Sequence, residues 1–222
     1  MTPEDLKELA AQLRLPSGEL GAQVAAGMTK GNAVIVDRAF EALAVEPGHS
    51  VLEVGSGSGE LAARVVEAMG PDGAYAGVEH APDMARLTEE RLGSSVSARV
   101  VVGAYGAPHV DQQLGGLAYD RFVAVNVLYF VERLDDFFES AYRHLRPGGQ
   151  VVLGVRSQLC LDQLPFTKHG FISRSLDIYL TALAAAGFEG PKAAFLQEKR
   201  IVMGDKSYPM DSVIIQARRK TM

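Results

Sequence analysis

The chain holds a single cysteine, Cys160, among its 222 residues, which rules out an internal disulfide and any cysteine-based metal cluster and suits a reducing compartment. A basic excess is missing as well: 22 Lys and Arg stand against 27 Asp and Glu, a net charge of −5. No broad surface for a phosphate backbone follows from that balance, so nucleic acid is not expected as a partner. Long apolar runs are absent. The longest, Phe122 to Val131, is broken by Asn126 and is too short to span a bilayer, so no membrane association is expected. The first residues, MTPEDLKELA, carry acids and lack a basic start followed by an apolar core, so no secretory signal is expected and a cytoplasmic location is. No linker, repeat or low-complexity stretch divides the chain, and its 47% hydrophobic content can bury a full core.

What is present is a stretch VLEVGSGSG, from Val51 to Gly59, that reads as a buried strand entering a turn with three glycines. Gly55, Gly57 and Gly59 alternate with Ser56 and Ser58, so the backbone can take positive φ and no Cβ blocks close approach. The helix that follows, Glu60 to Met69, carries Leu61, Ala62, Val65, Val66 and Met69 on one stripe and stops at Gly70-Pro71. A dinucleotide fingerprint requires GxGxxG, with the third glycine allowing close helix–strand packing. Counting from Gly55, that third position is Glu60, whose carboxylate would stand where a diphosphate brings its own negative charge. Dinucleotide binding is therefore disfavoured. The next strand, AYAGVE, ends on Glu79, and a carboxylate there can accept hydrogen bonds from both hydroxyls of a ribose. That acid fits either adenosine-bearing cofactor and does not choose between them.

The pattern GxGxG preceded by the acid Glu53 resembles the first motif of the class I S-adenosylmethionine-dependent methyltransferases. So do EHAPDMARL after the second strand, Asp120 at the start of strand four, and LRPGG from Leu145 to Gly149 before strand five. The resemblance covers about residues 30 to 190. It implies S-adenosylmethionine as cofactor, a Rossmann-like doubly wound α/β sheet of seven strands, mostly parallel with one antiparallel strand, and no metal. It also implies cofactor contacts from Glu53, Gly55, Ser56, Gly57, Gly59, Glu79, His80, Ala104, Tyr105 and Asn126. One departure from the family stands out. Ala104 occupies the position where small-molecule members commonly carry an acid for the adenine amino group, which leaves adenine to backbone groups of Ala104 and Tyr105 or to stacking.

Periodicity places further strands over 96–103, 120–128 and 151–155, and a helix over 134–145 that leaves Glu139, Arg143 and His144 towards water. Another helix is expected over 175–186, then strands near 193–202 and 212–217 joined as a hairpin by GDKSYP. Alternation with short connections implies a parallel sheet. Residues 1–40 are expected to form a helical extension and 41–222 the cofactor-binding domain; the family resemblance implies that such an extension folds over the cofactor as a lid, offering Met28, Lys30 and Asn32, with an ordinary helix–loop–helix that makes no ligand contact as the favoured alternative for each of them. The segment 157–172, with Leu159, Leu161, Leu164, Phe166 and Phe171, is a candidate wall for a moderately apolar acceptor.

No catalytic group is fixed by the sequence. Asn126, Tyr129 and Glu132 fall near the carboxyl ends of the strands where ligands of open α/β sheets bind, and His109 and His169 lie in long irregular segments near the acceptor side. A bonding role for Asn126 within a neighbouring loop, and a packing role for Tyr129, remain open alternatives. The expectation is a methyltransferase that acts on a small-molecule acceptor, as a monomer or homodimer. A NAD(P)-dependent oxidoreductase and a non-catalytic S-adenosylmethionine-binding protein are the alternatives. NVLY at 126–129 differs from the Asn-Pro-Pro-aromatic of nucleic-acid amino methyltransferases, which further disfavours such substrates.

Overall fold

A computed structural model describes residues 1–94, 97–116, 118–203 and 205–221. Three helices open the chain: α1 (Pro3–Arg14), started by a Thr2–Asp5 capping box with Pro3 in its first turn, α2 (Gly18–Gly31) and α3 (Ala33–Leu43). Strands and helices then alternate as β1 (Ser50–Val54), α4 (Glu60–Met69), β2 (Ala74–Glu79), α5 (Pro82–Leu92), β3 (Ala98–Val102), α6 (Pro108–Leu114), β4 (Tyr119–Val125) and α7 (Leu134–His144). The remainder is β5 (Leu145–Arg156), α8 (Gln158–Gln163), α9 (Leu176–Ala185), β6 (Phe188–Leu196), β7 (Ile201–Met203), β8 (Lys206–Tyr208) and β9 (Ser212–Arg219).

Seven strands form one sheet in the order β3-β2-β1-β4-β5-β9-β6. Only β9 among them runs against its neighbours, pairing antiparallel with both β5 and β6. Both faces are covered, so alternate residues of one strand enter different cores. On one face Leu52, Phe122 and Leu153 meet Phe138 of α7 and Leu183 of α9. On the other, Val51, Val123 and Val152 meet Ile35 and Leu43 of α3 and Val65 of α4. The strand order reverses between β1 and β4, and such a switch opens a crevice at the carboxyl ends of the strands. No helix of the described residues is long and apolar enough to cross a membrane.

Several expected boundaries move. Strand four ends at Val125 instead of 128, because Asn126 takes φ 59° and turns the chain into a 3-10 turn over Leu128–Phe130. RPGG is absorbed into β5 as an irregularity, with Tyr119 opposite Leu145 and then Arg121 opposite Gln150. GDKSYP closes a separate ribbon of β7 and β8, whereas β6 pairs directly with β9. Its Gly204, and Val96 at the start of the expected third strand, lie outside the described residues. His144 is buried instead of solvated: it stands three residues after Ala141 on the inward stripe of α7 and bonds to Tyr105.

Candidate active site

The loop after β1 is left-handed at each of its glycines, with φ of 78° at Gly55, 57° at Gly57 and 83° at Gly59. A Cβ on Gly55 would collide with the Val127 side chain, and one on Gly59 would come 3.0 Å from Thr88 Cα. Gly57 differs, since a Cβ there would meet nothing within 4 Å. It is the open floor of the crevice. The far side of the loop is braced by α5: Thr88 Oγ1 donates to Gly57 O at 2.8 Å, and Arg91 Nε donates to Ser58 O at 2.8 Å. The Ser56 hydroxyl is turned to Thr88, 3.1 Å away, so this serine faces the cavity with its backbone. Glu60 is tied to Arg91 at 2.9 Å.

Two carboxyl groups stand behind this floor. Glu79 is buried and accepts the amides of Gly57 at 2.8 Å and Ala81 at 2.9 Å, which holds the loop against the end of β2. Burial raises its pKa, and the two amides oppose the rise. Glu53 lies deeper, 3% exposed, and accepts the Tyr75 hydroxyl at 2.7 Å. Burial pushes this carboxyl up to about 8, so it is protonated at neutral pH. Gly77, opposite Glu53 in the parallel register, makes the contact possible, because a Cβ there would come within 2.9 Å of the phenol oxygen.

Around these groups opens a cavity of about 1140 Å³. Its walls come from the ends of β1 and β2, the segments 103–106, 125–127 and 130–133, the outer face of α7, and α1 to α3 above. His80 and Ala104 are exposed on its rim. Asn126 is half-buried in the wall, its backbone N–H donates to Gly154 O at 2.8 Å, and its side-chain Oδ1 is buried without a hydrogen-bond partner. An unanswered acceptor of this kind marks a place where a ligand or water completes the structure. The Tyr105 ring packs on Phe122 and Phe137 with centroids 5.6 and 5.2 Å away, and its hydroxyl lies 2.9 Å from His144 Nδ1. Its ring is thus committed to the core, and the 103–106 segment faces the cavity chiefly with backbone.

Other expected groups are not brought together. Tyr129 is buried and stacks on Phe171 with centroids 5.3 Å apart, behind the wall and not in it. His169 follows the 3-10 turn Pro165–Lys168 and does not line the cavity, nor does His109. Neither does any residue of 157–172; its Phe171, with Phe166 packed on it, instead backs Phe130, which does. Met28, Asn32 and Glu132 line the cavity, and Lys30 does not. Cys160 is buried against Pro209 O at 3.3 Å, and burial pushes its thiol up to about 11, which makes it inert. No group of three or more His, Cys, Asp and Glu among the described residues could hold a metal ion.

Two arginines that shape the site carry no sequence signal. Arg174 is buried and donates to the carbonyls of Leu128, Val131 and Glu132, pinning the turn that forms one wall. Arg156 is 4% exposed at the end of β5 and pairs with Glu198 at 2.7 Å. An arginine at the edge of an element reads from sequence as a solvated charge.

A family model described as a methyltransferase domain matches residues 52–151. The protein-L-isoaspartate O-methyltransferase of Methanopyrus kandleri is 31% identical over 200 residues, 86% of this chain and 81% of that protein. The arsenite methyltransferase of Halobacterium salinarum is 32% identical over 213 residues, 89% of this chain and 53% of that longer protein. Among solved structures, a methyltransferase in complex with the Trm112 methyltransferase activator of Haloferax volcanii superposes with a TM-score of 0.77, at 15% identity, covering 96% of this chain and 98% of that one. At that identity the likeness is one of fold.

Proposed function

This chain belongs to the class I S-adenosylmethionine-dependent methyltransferases, and on that basis we propose that it methylates a small-molecule acceptor held in the same cavity as the cofactor. The observation that carries this reading is the cavity itself. At about 1140 Å³ it exceeds the roughly 300–1,000 Å³ usual for a single small ligand, and α1 and α2 contribute to its covering side. Two ligands fit side by side, as transfer between them requires.

S-adenosylmethionine supplies, when bound, a methyl group already activated on a sulfonium. The residues present fit it: Gly57 leaves an open floor that a Cβ would fill, and the buried Glu79 carboxyl stands behind it. In this placement Glu79, whose amide contacts leave acceptor capacity on both oxygens, takes the ribose hydroxyls. The 103–106 backbone, His80 and Val127 surround the adenine, and Glu53 faces the ammonium of the amino-acid end. What remains for the protein is alignment and exclusion of water. Asn126 Oδ1 accepts an N–H or O–H of the acceptor and turns its lone pair towards the methyl, while Phe130, Val131, Leu13 and Met28 supply the apolar surroundings. A general base is required only if the acceptor must lose a proton at attack.

A dinucleotide is a poorer fit, because Glu60 stands beside the loop with Glu79 behind it and a diphosphate would add charge of the same sign. Arsenite, on which one relative acts by its name, is a soft acceptor that thiolates hold, and Cys160 lies buried outside the cavity. The test is methyl transfer from labelled cofactor to three acceptor sets: a pool of small metabolites, an isoaspartyl peptide and arsenite. Label in the small-metabolite pool is the expected result. Label in the peptide instead would overturn the small-molecule reading, label on arsenic would replace an organic metabolite by an inorganic acceptor, and either would leave the family assignment standing.

A further inference from the structure

Asn32 joins α2 to α3 with φ −104° and ψ 1°, and its side chain caps neither helix. Its carboxamide is used elsewhere. Arg156 Nη2 donates to Asn32 Oδ1 at 2.8 Å and to Gly31 O at 2.9 Å, while Nη1 donates to Glu198 Oε1 at 2.7 Å, Ser212 Oγ at 2.7 Å and Met210 O at 3.1 Å. Arg156 and the Glu198 side chain are each only 4% exposed, so this anchor is rigid and largely dry. A guanidinium has donors and no acceptor. The chemistry alone therefore settles which end of the amide faces it: the oxygen is turned to Arg156, and the Nδ2 group is turned away with no hydrogen bond among the described residues. Asn32 lines the cavity.

We propose that Asn32 donates through Nδ2 to the α-carboxylate of the bound cofactor, and that Arg156 is the positioning residue that orients it. The inference rests on the cofactor placement above. Glu79 ends β2 and the 103–106 segment follows β3, so ribose and adenine occupy that side of the sheet. The amino-acid end then extends across β1 and β4 towards β5, the strand that ends on Arg156. Glu53, on β1, lies along that path and offers a carboxyl oxygen as acceptor to the ammonium, which leaves the α-carboxylate in need of donors. Of the donors nearby, the Thr29 hydroxyl bonds to Ala25 O at 3.1 Å and Arg64 pairs with Asp37 at 2.6 Å, while Arg14 of α1 lines the cavity with an exposed side chain that no buried partner among the described residues fixes in place. The Nδ2 group of Asn32 is uncommitted and matches the chemistry of an anionic oxygen.

The test compares two probes in titration calorimetry: S-adenosylhomocysteine, and 5′-methylthioadenosine, which keeps the adenosine and thioether but has no amino-acid end. Asn32→Asp is nearly isosteric and keeps an oxygen on Arg156, so the fold is retained, while the free donor becomes an acceptor bearing negative charge. This variant is expected to lose about tenfold or more in affinity for S-adenosylhomocysteine, as for a hydrogen bond to a charged group, and to hold 5′-methylthioadenosine within about twofold. Asn32→Ala should give the same split, and Arg156→Lys a smaller one in the same direction, with circular dichroism confirming a folded chain. Equal loss of both probes would show a merely structural role and overturn the proposal, and so would unchanged binding of S-adenosylhomocysteine. Wild-type protein that binds neither probe would overturn the cofactor placement and this inference with it.

Discussion

Glu53 shows how one buried group gives the protein a pH dependence. Its carboxyl sits near 8 when folded against 4.5 ordinarily, because burial disfavours the charge. Between those values the native state keeps a proton that the unfolded chain releases, so this group's contribution falls as pH rises through that window, by at most about 1.4 kcal/mol per pH unit. Glu53→Gln, neutral at every pH, should flatten the dependence; melting curves taken across the window check it, and an unchanged slope would refute the assignment. Glu79 has a different task. Its charge is met by two amides, and Glu79→Ala should weaken S-adenosylhomocysteine by about tenfold or more in calorimetry, since hydrogen bonds to a charged acceptor are lost together with the clamp on Gly57. Unchanged affinity would remove Glu79 from the ribose site.

At the scale of elements, the strand–loop–helix unit from Ser50 to Met69 separates packing glycines from a binding glycine. Gly57→Val places a side chain in open space at a left-handed φ, with backbone strain of about 1–2 kcal/mol, so the melting temperature should fall modestly while cofactor binding is lost. Gly55→Val drives the same side chain into Val127 and should cost more stability, and the two variants measured side by side test the distinction. The turn after β4 depends on a residue far away in sequence. Arg174→Met would strip three carbonyls of their donor, at about 1–3 kcal/mol for each left buried and unanswered. Hydrogen exchange over 128–133 should accelerate in this variant, together with a lower melting temperature. The ends of α4 and β2 were legible from local signals: a period-3.6 stripe stopped at Gly70-Pro71 and an acid closing a strand. The end of β4 was not, because an apolar run continues past the residue at which the chain turns.

At the scale of the molecule, the reversal of strand order between β1 and β4 brings the glycine loop, Glu79, the 103–106 segment and Asn126 together at the carboxyl ends of the strands. Both cores reach full burial on either face of that sheet, so the crevice has a rigid floor. The covering side is built differently. The α2–α3 junction is held to β5 and to Glu198 through Arg156, a tie that joins positions 124 residues apart and that buries two charges to do so. Aromatic residues of 157–172, which composition suggests as a pocket wall, instead pack behind Phe130 and stiffen the true wall from outside.

By itself the sequence determined the class of fold, the glycine loop and the acid at the end of β2, and the resemblance that its motifs carry implied the family and its cofactor. These are local properties, written in φ preferences, hydrophobic period and short motifs. Only the tertiary structure decided which side chains face the cavity: that His144 turns inward, that Tyr129 and His169 stay out, and that Arg156 and Arg174 leave the surface to hold the walls. Those outcomes depend on which distant carbonyl or carboxylate is at hand to satisfy a buried charge, and no pattern along the chain encodes that proximity.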